Sequence, residues 1–375
     1  LPFRRSPPFD HPDVFDRWAA VFRFLLRFIP GLAMISAPTT VSELDNLIST
    51  PTDGVVNAVR DLPGRFAVLG AGGKMGFHIS MMLQRALSAA GRDEKVITVS
   101  RFGDSNKRSQ FEEAGFEVIA ADLAERKQVA ALPDAENIIS LAAIKFGTSG
   151  QPDLLRRINV ETSQLVMERF RQSRIVMLST GCVYSFATPE SGGSTEDSPL
   201  EPPGEYAQSR LAQEQVFAKA SLRHGTAVAL IRLNYSIDLR YGVLLDVAQK
   251  VFNRQPVDVQ MGYANVIWQG DAAAHIIQAL PHTSSPALPI NVTGPETFRI
   301  RDVAQAFADR FRLEANITGK ENESAWLNNA SKSHAMFGPP TVSLGQMLDW
   351  VAAWVERGGE TLNKPTHFEV RGEGY

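Results

Sequence analysis

At 375 residues and 44% apolar content, the chain can bury one large core or two modest ones. A net charge of −3 gives no basic excess, so no nucleic-acid partner is expected. A single cysteine, Cys182, rules out an intramolecular disulfide and fits a reducing, cytoplasmic setting. The seven histidines are scattered, with no metal-ligand spacing, so no metal is expected.

Residues 1–33 carry Arg4, Arg5, Arg17, Arg23 and Arg27 around an apolar patch, Trp18 to Ile29. Arg23 and Arg27 interrupt that patch one helical turn apart, so it is too short and too charged to span a bilayer, and no membrane partner is expected. A secretory signal needs an unbroken apolar stretch and a small-residue cleavage site, and neither is clear here. Three readings stay open: a loosely ordered amphipathic extension, a targeting segment, or sequence upstream of a start at Met34. The last is favoured, because ordinary globular patterning begins after Met34.

Residues 41–62 show a helical apolar stripe (Val41, Leu44, Leu47, Ile48), a break at Pro51–Gly54 and a second short turn. From Phe66 short apolar runs alternate with longer helical patterns. The predicted strands are Phe66–Gly70, Val96–Ser100, Phe116–Ala120, Ile138–Ala142, Ile175–Ser179 and Val228–Leu233. Most are apolar on both faces, as strands covered by helices on both sides must be, and this alternation predicts a Rossmann-type, doubly wound parallel α/β sheet. After Leu233 the pattern loosens. Val266–Leu280 and Ile290–Gly294 read as returns to the main sheet, and Ser343–Arg357 as a closing helix. The expected organisation is an N-terminal extension and helix over 1–63 and an NAD(P)-binding domain over 64–235, to which 266–294 returns. A smaller, discontinuous substrate lobe follows over 236–265 and 295–360, with a tail over 361–375. The cleft between domain and lobe is the expected site.

The glycines of Gly70-Ala71-Gly72-Gly73-Lys74-Met75-Gly76 sit where the first strand meets a helix, predicted over Phe77–Ala90. A turn this tight needs glycine dihedrals, and phosphates need backbone N–H groups with no Cβ in the way, in front of a positive helix end. At the end of the second strand an NAD-selective site offers an acidic residue to the ribose 2′-hydroxyl. Here Ser100 and Arg101 stand instead, a hydroxyl and a guanidinium suited to a 2′-phosphate, with Lys74 expected to add positive charge nearby. The expected cofactor is therefore NADP(H) in preference to NAD(H). The bland alternative is that Arg101 is a solvated loop arginine.

The Gly70-x-x-Gly73-x-x-Gly76 spacing, followed by a specific order of later segments, resembles the extended short-chain dehydrogenase/reductases, the epimerase/dehydratase family. Asp122-Leu123 looks like that family's adenine-contacting pair, and Leu141-Ala142-Ala143 like the segment lining the nicotinamide ribose. Ser179-Thr180-Gly181-Cys182-Val183-Tyr184 resembles the strand end that carries the catalytic Ser or Thr. Tyr206-Ala207-Gln208-Ser209-Arg210 resembles the Tyr-x-x-Ser-Lys helix, and Arg232-Leu233-Asn234-Tyr235 the loop after the sixth strand. The match spans residues 64–355. The resemblance implies that Tyr206 is the acid/base for a substrate hydroxyl or ketone, that Thr180 hydrogen-bonds the same oxygen, and that Asn234 lies at the cofactor. A phenol titrates near ~10, so it needs an adjacent cation to work near neutrality. Residue 210, one helical turn on, can supply it.

Two departures stand out. The family's lysine is Arg210 here, with a bulkier, planar fork. Lys145, just past the fourth strand, could supply a second cation or a substrate contact, or be a solvated loop lysine. The second departure lies in Gly262-Tyr263-Ala264-Asn265-Val266-Ile267-Trp268, where Asn265 stands in place of the arginine that holds a diphosphate in nucleotide-sugar members. Arg240 could replace it from a neighbouring loop, with Trp268 as a further substrate contact. Otherwise the substrate is a free sugar, a sugar acid or a related polyol. Cys182 reads as a buried, inert thiol.

The leading expectation is an oxidoreductase or epimerase acting on a secondary hydroxyl or ketone of a small sugar-like molecule. The alternatives are a nucleotide-sugar epimerase, and a cofactor-binding sensor or scaffold that has lost turnover. A dehydratase is disfavoured, because Gly181-Cys182 follow Thr180 where Asp-Glu would be expected. A homodimer through the helices flanking the sheet is carried by analogy.

Overall fold

A computed structural model describes residues 36–143, 152–364 and 366–371. Helices α1 (Val41–Ile48) and α2 (Asp53–Arg60) precede the first strand, and Thr40 and Thr52 cap them by accepting from Glu43 N and Val55 N. Both bury one stripe: Leu44 and Ile48 in α1, Val55 and Val59 in α2. Then come β1 (Phe66–Leu69), α3 (Gly76–Ala89), β2 (Ile97–Ser100), α4 (Ser105–Glu113), β3 (Glu117–Ala120), α5 (Arg126–Ala130) and β4 (Asn137–Ser140). After them run α6 (Pro152–Arg169), β5 (Arg174–Thr180), α7 (Glu205–His224) and β6 (Val228–Leu233). The remainder comprises α8 (Val243–Phe252), α9 (Gln269–Gln278), β7 (Leu288–Val292), α10 (Ile300–Phe311), α11 (Ser331–Phe337) and α12 (Leu344–Glu356).

The seven strands pair in parallel in the order β3-β2-β1-β4-β5-β6-β7. This is a Rossmann-type, doubly wound sheet with one strand added. Side chains alternate between two apolar layers. Phe66, Val68, Ile139, Val176 and Ile231 face one, with Ile79 and Leu83 of α3. Ala67, Leu69, Ile138, Ile175, Met177 and Leu230 face the other, with Val166 of α6 and Phe217 of α7. The strand order reverses between β1 and β4. In open sheets of this kind, ligands bind in the crevice beyond the strand ends at that point.

Val266–Leu280 departs from its predicted form. Ile267–Trp268 pairs only with Ser236–Ile237, outside the main sheet, and the rest is α9, which packs on α1, α2 and α3. The run Ala272-Ala273-Ala274 and Ile276-Ile277 favours a buried helix, since a short apolar segment does not by itself distinguish helix from strand. Asp271 anchors the helix start by accepting from Thr341 N, Thr341 Oγ1 and Val342 N at 2.7–3.1 Å. β7 does join the sheet, beside β6. Helices α8, α10 and α12 pack on one another, and Ser343 caps α12. Residues Pro38–Tyr375 form one compact unit. The predictions made for residues 1–33 and Met34 lie outside the described residues.

Candidate active site

The glycine loop follows β1 directly. Gly70 has φ +78, and a Cβ there would lie 2.8 Å from Ala142 N, so a side chain would collide with the end of β4. At Gly76 a Cβ would approach Ala71 O to 2.1 Å, so only glycine lets the helix start against the turn. These close approaches are the cradle that a dinucleotide pyrophosphate requires, with the start of α3 behind it. Among the described residues, no helix is long and apolar enough to cross a membrane, and no group of three or more His, Cys, Asp or Glu could hold a metal ion.

Beyond the strand ends lies a cavity of about 570 Å3. It brings together the loop residues Gly73, Lys74, Met75 and Gly76, Leu141 and Ala143 after β4, Thr180 at the end of β5, and Tyr206 and Arg210 of α7. Asn234 and Arg240, after β6, complete this wall. Ala142 stands just behind it, its carbonyl accepting from Gln213 Nε2 at 2.8 Å. Thr180 Oγ1 accepts from Cys182 N at 3.2 Å. Burial pushes the Tyr206 phenol pKa up, while the Arg210 guanidinium pulls it down and the neighbouring Cys182 adds to the rise. Arg210 is itself only 3% exposed, and its fork donates to Leu178 O and to Gln213 Oε1. Burial lowers its pKa, against the pull of Tyr206 and Glu214.

The other expected residues divide. Ser100 Oγ packs beneath Gly72, where a Cβ would come within 2.6 Å of it. Arg101 is exposed, and Asp122 and Leu123 close the turn after β3. None of these four lines the cavity, which opens on the other side of the loop.

Lys74 corrects the expectation made for it. Its Nζ lies 3.4 Å from Ser236 O and 4.1 Å from the centre of the Tyr241 ring. That is the β6 side of β1, whereas Ser100 and Arg101 end β2 on the opposite side. The lysine therefore faces away from a ribose 2′-phosphate. Lys107 of α4 is the cation on the β2 side, donating to Gly72 O at 3.0 Å. Trp268 is a packing residue: it is buried edge-on against Trp350, 5.2 Å between ring centres, and does not line the cavity. Asn265 sits in a buried amide chain, accepting from Asn234 Nδ2 at 2.7 Å and donating to Asn328 O at 2.7 Å. Lys145 lies outside the described residues.

Sequence reasoning missed three groups. Asp45 of α1 lines the cavity and accepts at Oδ1 from Arg240 Nη2 (2.6 Å) and from His78 Nε2 (2.8 Å). Leu362, Lys364 and Thr366, in the segment after α12, line it too, held by Leu362 N donating to Arg240 O and Thr366 donating to Asp246. Behind Thr180 a buried network joins Ser179, Glu214, Arg232, Tyr184 and Asn291, with an Arg232–Glu214 ion pair at its centre. Only the last left a trace, in the acidic and basic residues placed inside an apolar strand and the helix beside it.

A model of the NAD dependent epimerase/dehydratase family matches residues 66–235. No curated protein matches the chain in sequence. Among solved structures, a UDP-glucose 4-epimerase from Thermus thermophilus, in complex with NAD, is 19% identical with a TM-score of 0.62, covering 77% of this chain and 98% of its own. A dTDP-glucose 4,6-dehydratase from Streptomyces venezuelae, with NAD bound, is 18% identical at a TM-score of 0.66, covering 78% and 97%. A UDP-glucuronic acid 4-epimerase from Bacillus cereus, in complex with NAD, is 18% identical at 0.65, covering 78% and 99%. These likenesses carry the fold. With the family match over the strands and loops that build the cavity, residues 66–235 are a domain of the NAD dependent epimerase/dehydratase family, a family of enzymes.

Proposed function

We propose that the protein is an NAD(P)-dependent oxidoreductase or epimerase that acts on a secondary hydroxyl or ketone of a small sugar, sugar acid or polyol and prefers NADP(H). The single observation supporting it is that Thr180, Tyr206 and Arg210 converge with the glycine loop on one cavity. Gly73, Met75 and Gly76 would hold the pyrophosphate, Leu141 to Ala143 and Asn234 the nicotinamide end, and Ser100 and Arg101, with Lys107, the adenosine 2′-phosphate. Asp122 and Leu123 would border the adenine. When bound, the nicotinamide supplies or takes up the hydride.

The chain's own residues handle the proton. The Tyr206 hydroxyl gives it to, or takes it from, the substrate oxygen, and Thr180 hydrogen-bonds that oxygen and fixes its position. Arg210 lowers the cost of the phenolate. Its own donors are held by Leu178 O and Gln213, so its position is set before any ligand arrives. Residues 236–265 and 295–360 would form the substrate side. Asn265, engaged within its amide chain, offers no grip for a diphosphate, which favours a substrate without a nucleotide.

The test is Tyr206→Phe. Cofactor affinity should survive while turnover falls by roughly 10²–10⁴. A near wild-type rate on an identified substrate would end this reading. The second reading is a cofactor-binding sensor without turnover, favoured by the same engagement of the Arg210 fork. A wild-type chain that binds NADP(H) and never changes its redox state across a panel of sugars and sugar acids would establish it.

A further inference from the structure

We propose that Lys74 and Arg240 form an anion-reading end of the cavity, so that the substrate carries a carboxylate or phosphate group rather than being a neutral polyol. This rests on the cavity being the reaction site.

The first support is the side on which Lys74 lies. Its place in the glycine loop suggests a cofactor contact, but its ammonium crosses to Ser236 O and the face of Tyr241, beyond β6. Arg240 belongs to the same turn, which Asp238 and Tyr241 close by their backbones. The two cations therefore approach the cavity from opposite walls, near one turn.

The second support is the way Arg240 is held. Asp45 Oδ1 takes one of its terminal nitrogens at 2.6 Å, while Nε is buried with no hydrogen-bond partner. Asp45 is in turn fixed by His78 Nε2 at 2.8 Å, and His78 Nδ1 lies 2.9 Å from Gln269 Nε2. A carboxylate only accepts, so His78 carries its proton on Nε2, and Nδ1 accepts from the Gln269 amide. A helix that precedes the first strand thus positions a guanidinium in the cavity wall, with part of its fork uncommitted. Asp45 is a positioning residue.

The third support is charge. The described lining holds Lys74, Lys107, Arg210, Arg240 and Lys364 against Asp45 and Asp238. Lys107 and Arg210 serve other parts of the wall. Asp238 already accepts from Arg240 N at 2.6 Å, and Asp45 is spent on Arg240 and His78. The turn beyond β6 is left with net positive charge beside low-dielectric walls, which concentrates anions there.

The experiment titrates the NADP-loaded chain with sodium D-glucuronate, inorganic phosphate and D-glucose at matched ionic strength, with the thermal midpoint as readout. At least one anion should raise the midpoint saturably, and D-glucose should not. A response to glucuronate alone assigns a carboxylate, and to phosphate alone a phosphoryl group. Lys74→Met should weaken the responding anion by about tenfold or more, the scale of one charge-assisted hydrogen bond. It should leave the NADP/NAD affinity ratio and the anion-free midpoint as in wild type. Because Arg240→Met strands Asp45 and can unfold the site, Arg240→Lys serves as the second variant, with a partial loss expected. The proposal is overturned by no saturable response to either anion, an equal response to D-glucose, an anion response unchanged in Lys74→Met, or a collapsed NADP/NAD ratio in that variant. NADP binding is measured first by calorimetry. If it is absent, the cofactor reading falls by itself, and the glucuronate and glucose titrations on the unloaded chain still decide the anion site.

Discussion

On the β1–β3 side of the sheet the binding wall is made of backbone. Gly70, Gly72, Gly73 and Gly76 shape it, the strands are four residues long, and β3 is only partly buried. On the β5–β7 side the wall rests on buried side-chain chemistry. Ser179 donates to Glu214, Glu214 pairs with Arg232, Arg232 donates to Tyr184, and Tyr184 donates to Asn291 across three adjacent strands and α7. The contrast suits the two tasks. A cofactor's phosphates are gripped by N–H groups that many sequences can supply, whereas Thr180 and Tyr206 must be held in one rotamer relative to each other, and a satisfied buried network does that. One side should therefore tolerate side-chain changes, and the other should not.

The largest expected effect belongs to the β5–β7 side. If Tyr206→Phe lowers turnover by roughly 10²–10⁴, Thr180→Ala should lower it less and Thr180→Ser should be tolerated, because the hydroxyl remains. Steady-state rates at saturating cofactor check this order. A Thr180→Ser rate as low as that of Thr180→Ala would show that more than the hydroxyl matters.

Next comes the network beneath. Glu214→Ala leaves the Arg232 guanidinium buried without its carboxylate, which should cost about 3–5 kcal/mol in denaturant unfolding. Here Glu214→Gln is informative as well, since it keeps acceptor and shape while removing the charge, and it should cost less. A loss near zero for Glu214→Ala would remove the contrast between the two sides.

On the β1–β3 side, Arg101→Asp should leave folding intact and shift preference from NADP(H) toward NAD(H) by about 1.5–3 kcal/mol, one charge-assisted contact. Calorimetric titration with both cofactors measures it. An unchanged preference would make Arg101 a solvated loop residue and leave Lys107 as the cation to vary.

The smallest effect concerns pH. Burial, aided by the positive potential of His334, pushes His275 down to about 4. The folded chain therefore holds it neutral, while the unfolded chain protonates it near ~6.5. Its contribution to stability is complete above the unfolded value and declines as pH falls toward the folded one. Between pH 6.5 and 5.5 the loss should be about 1 kcal/mol, and His275→Asn should lessen that slope. An identical slope in the variant would assign the acid sensitivity to other groups.

The alternation of short apolar runs with helical patterns is enough to anticipate six of the seven main-sheet strands within two residues of their ends, because covered parallel strands are apolar on both faces. The spacing of Gly70, Gly73 and Gly76 likewise announces the phosphate cradle, since no other residue fits the backbone approaches at its two ends. Residues one helical turn apart, Tyr206 and Arg210, can be paired on paper because a helix fixes their separation.

Local pattern does not say where a long side chain will point. Its neighbours in the chain assign Lys74 to the cofactor, but its four-carbon stem reaches a strand end on the far side of β1. Trp268 reads as a substrate contact beside a binding segment, yet it is buried against Trp350 of α12. Asp45, Lys364 and Thr366 lie before and after the recognisable motifs, Asp45 195 residues from Arg240, so no window of sequence joins them. The sequence by itself determined the sheet, the loop and the tyrosine helix, all set by short-range periodicity and steric necessity. Only the tertiary structure decided the charge of the cavity wall, because that depends on which distant segments pack around it.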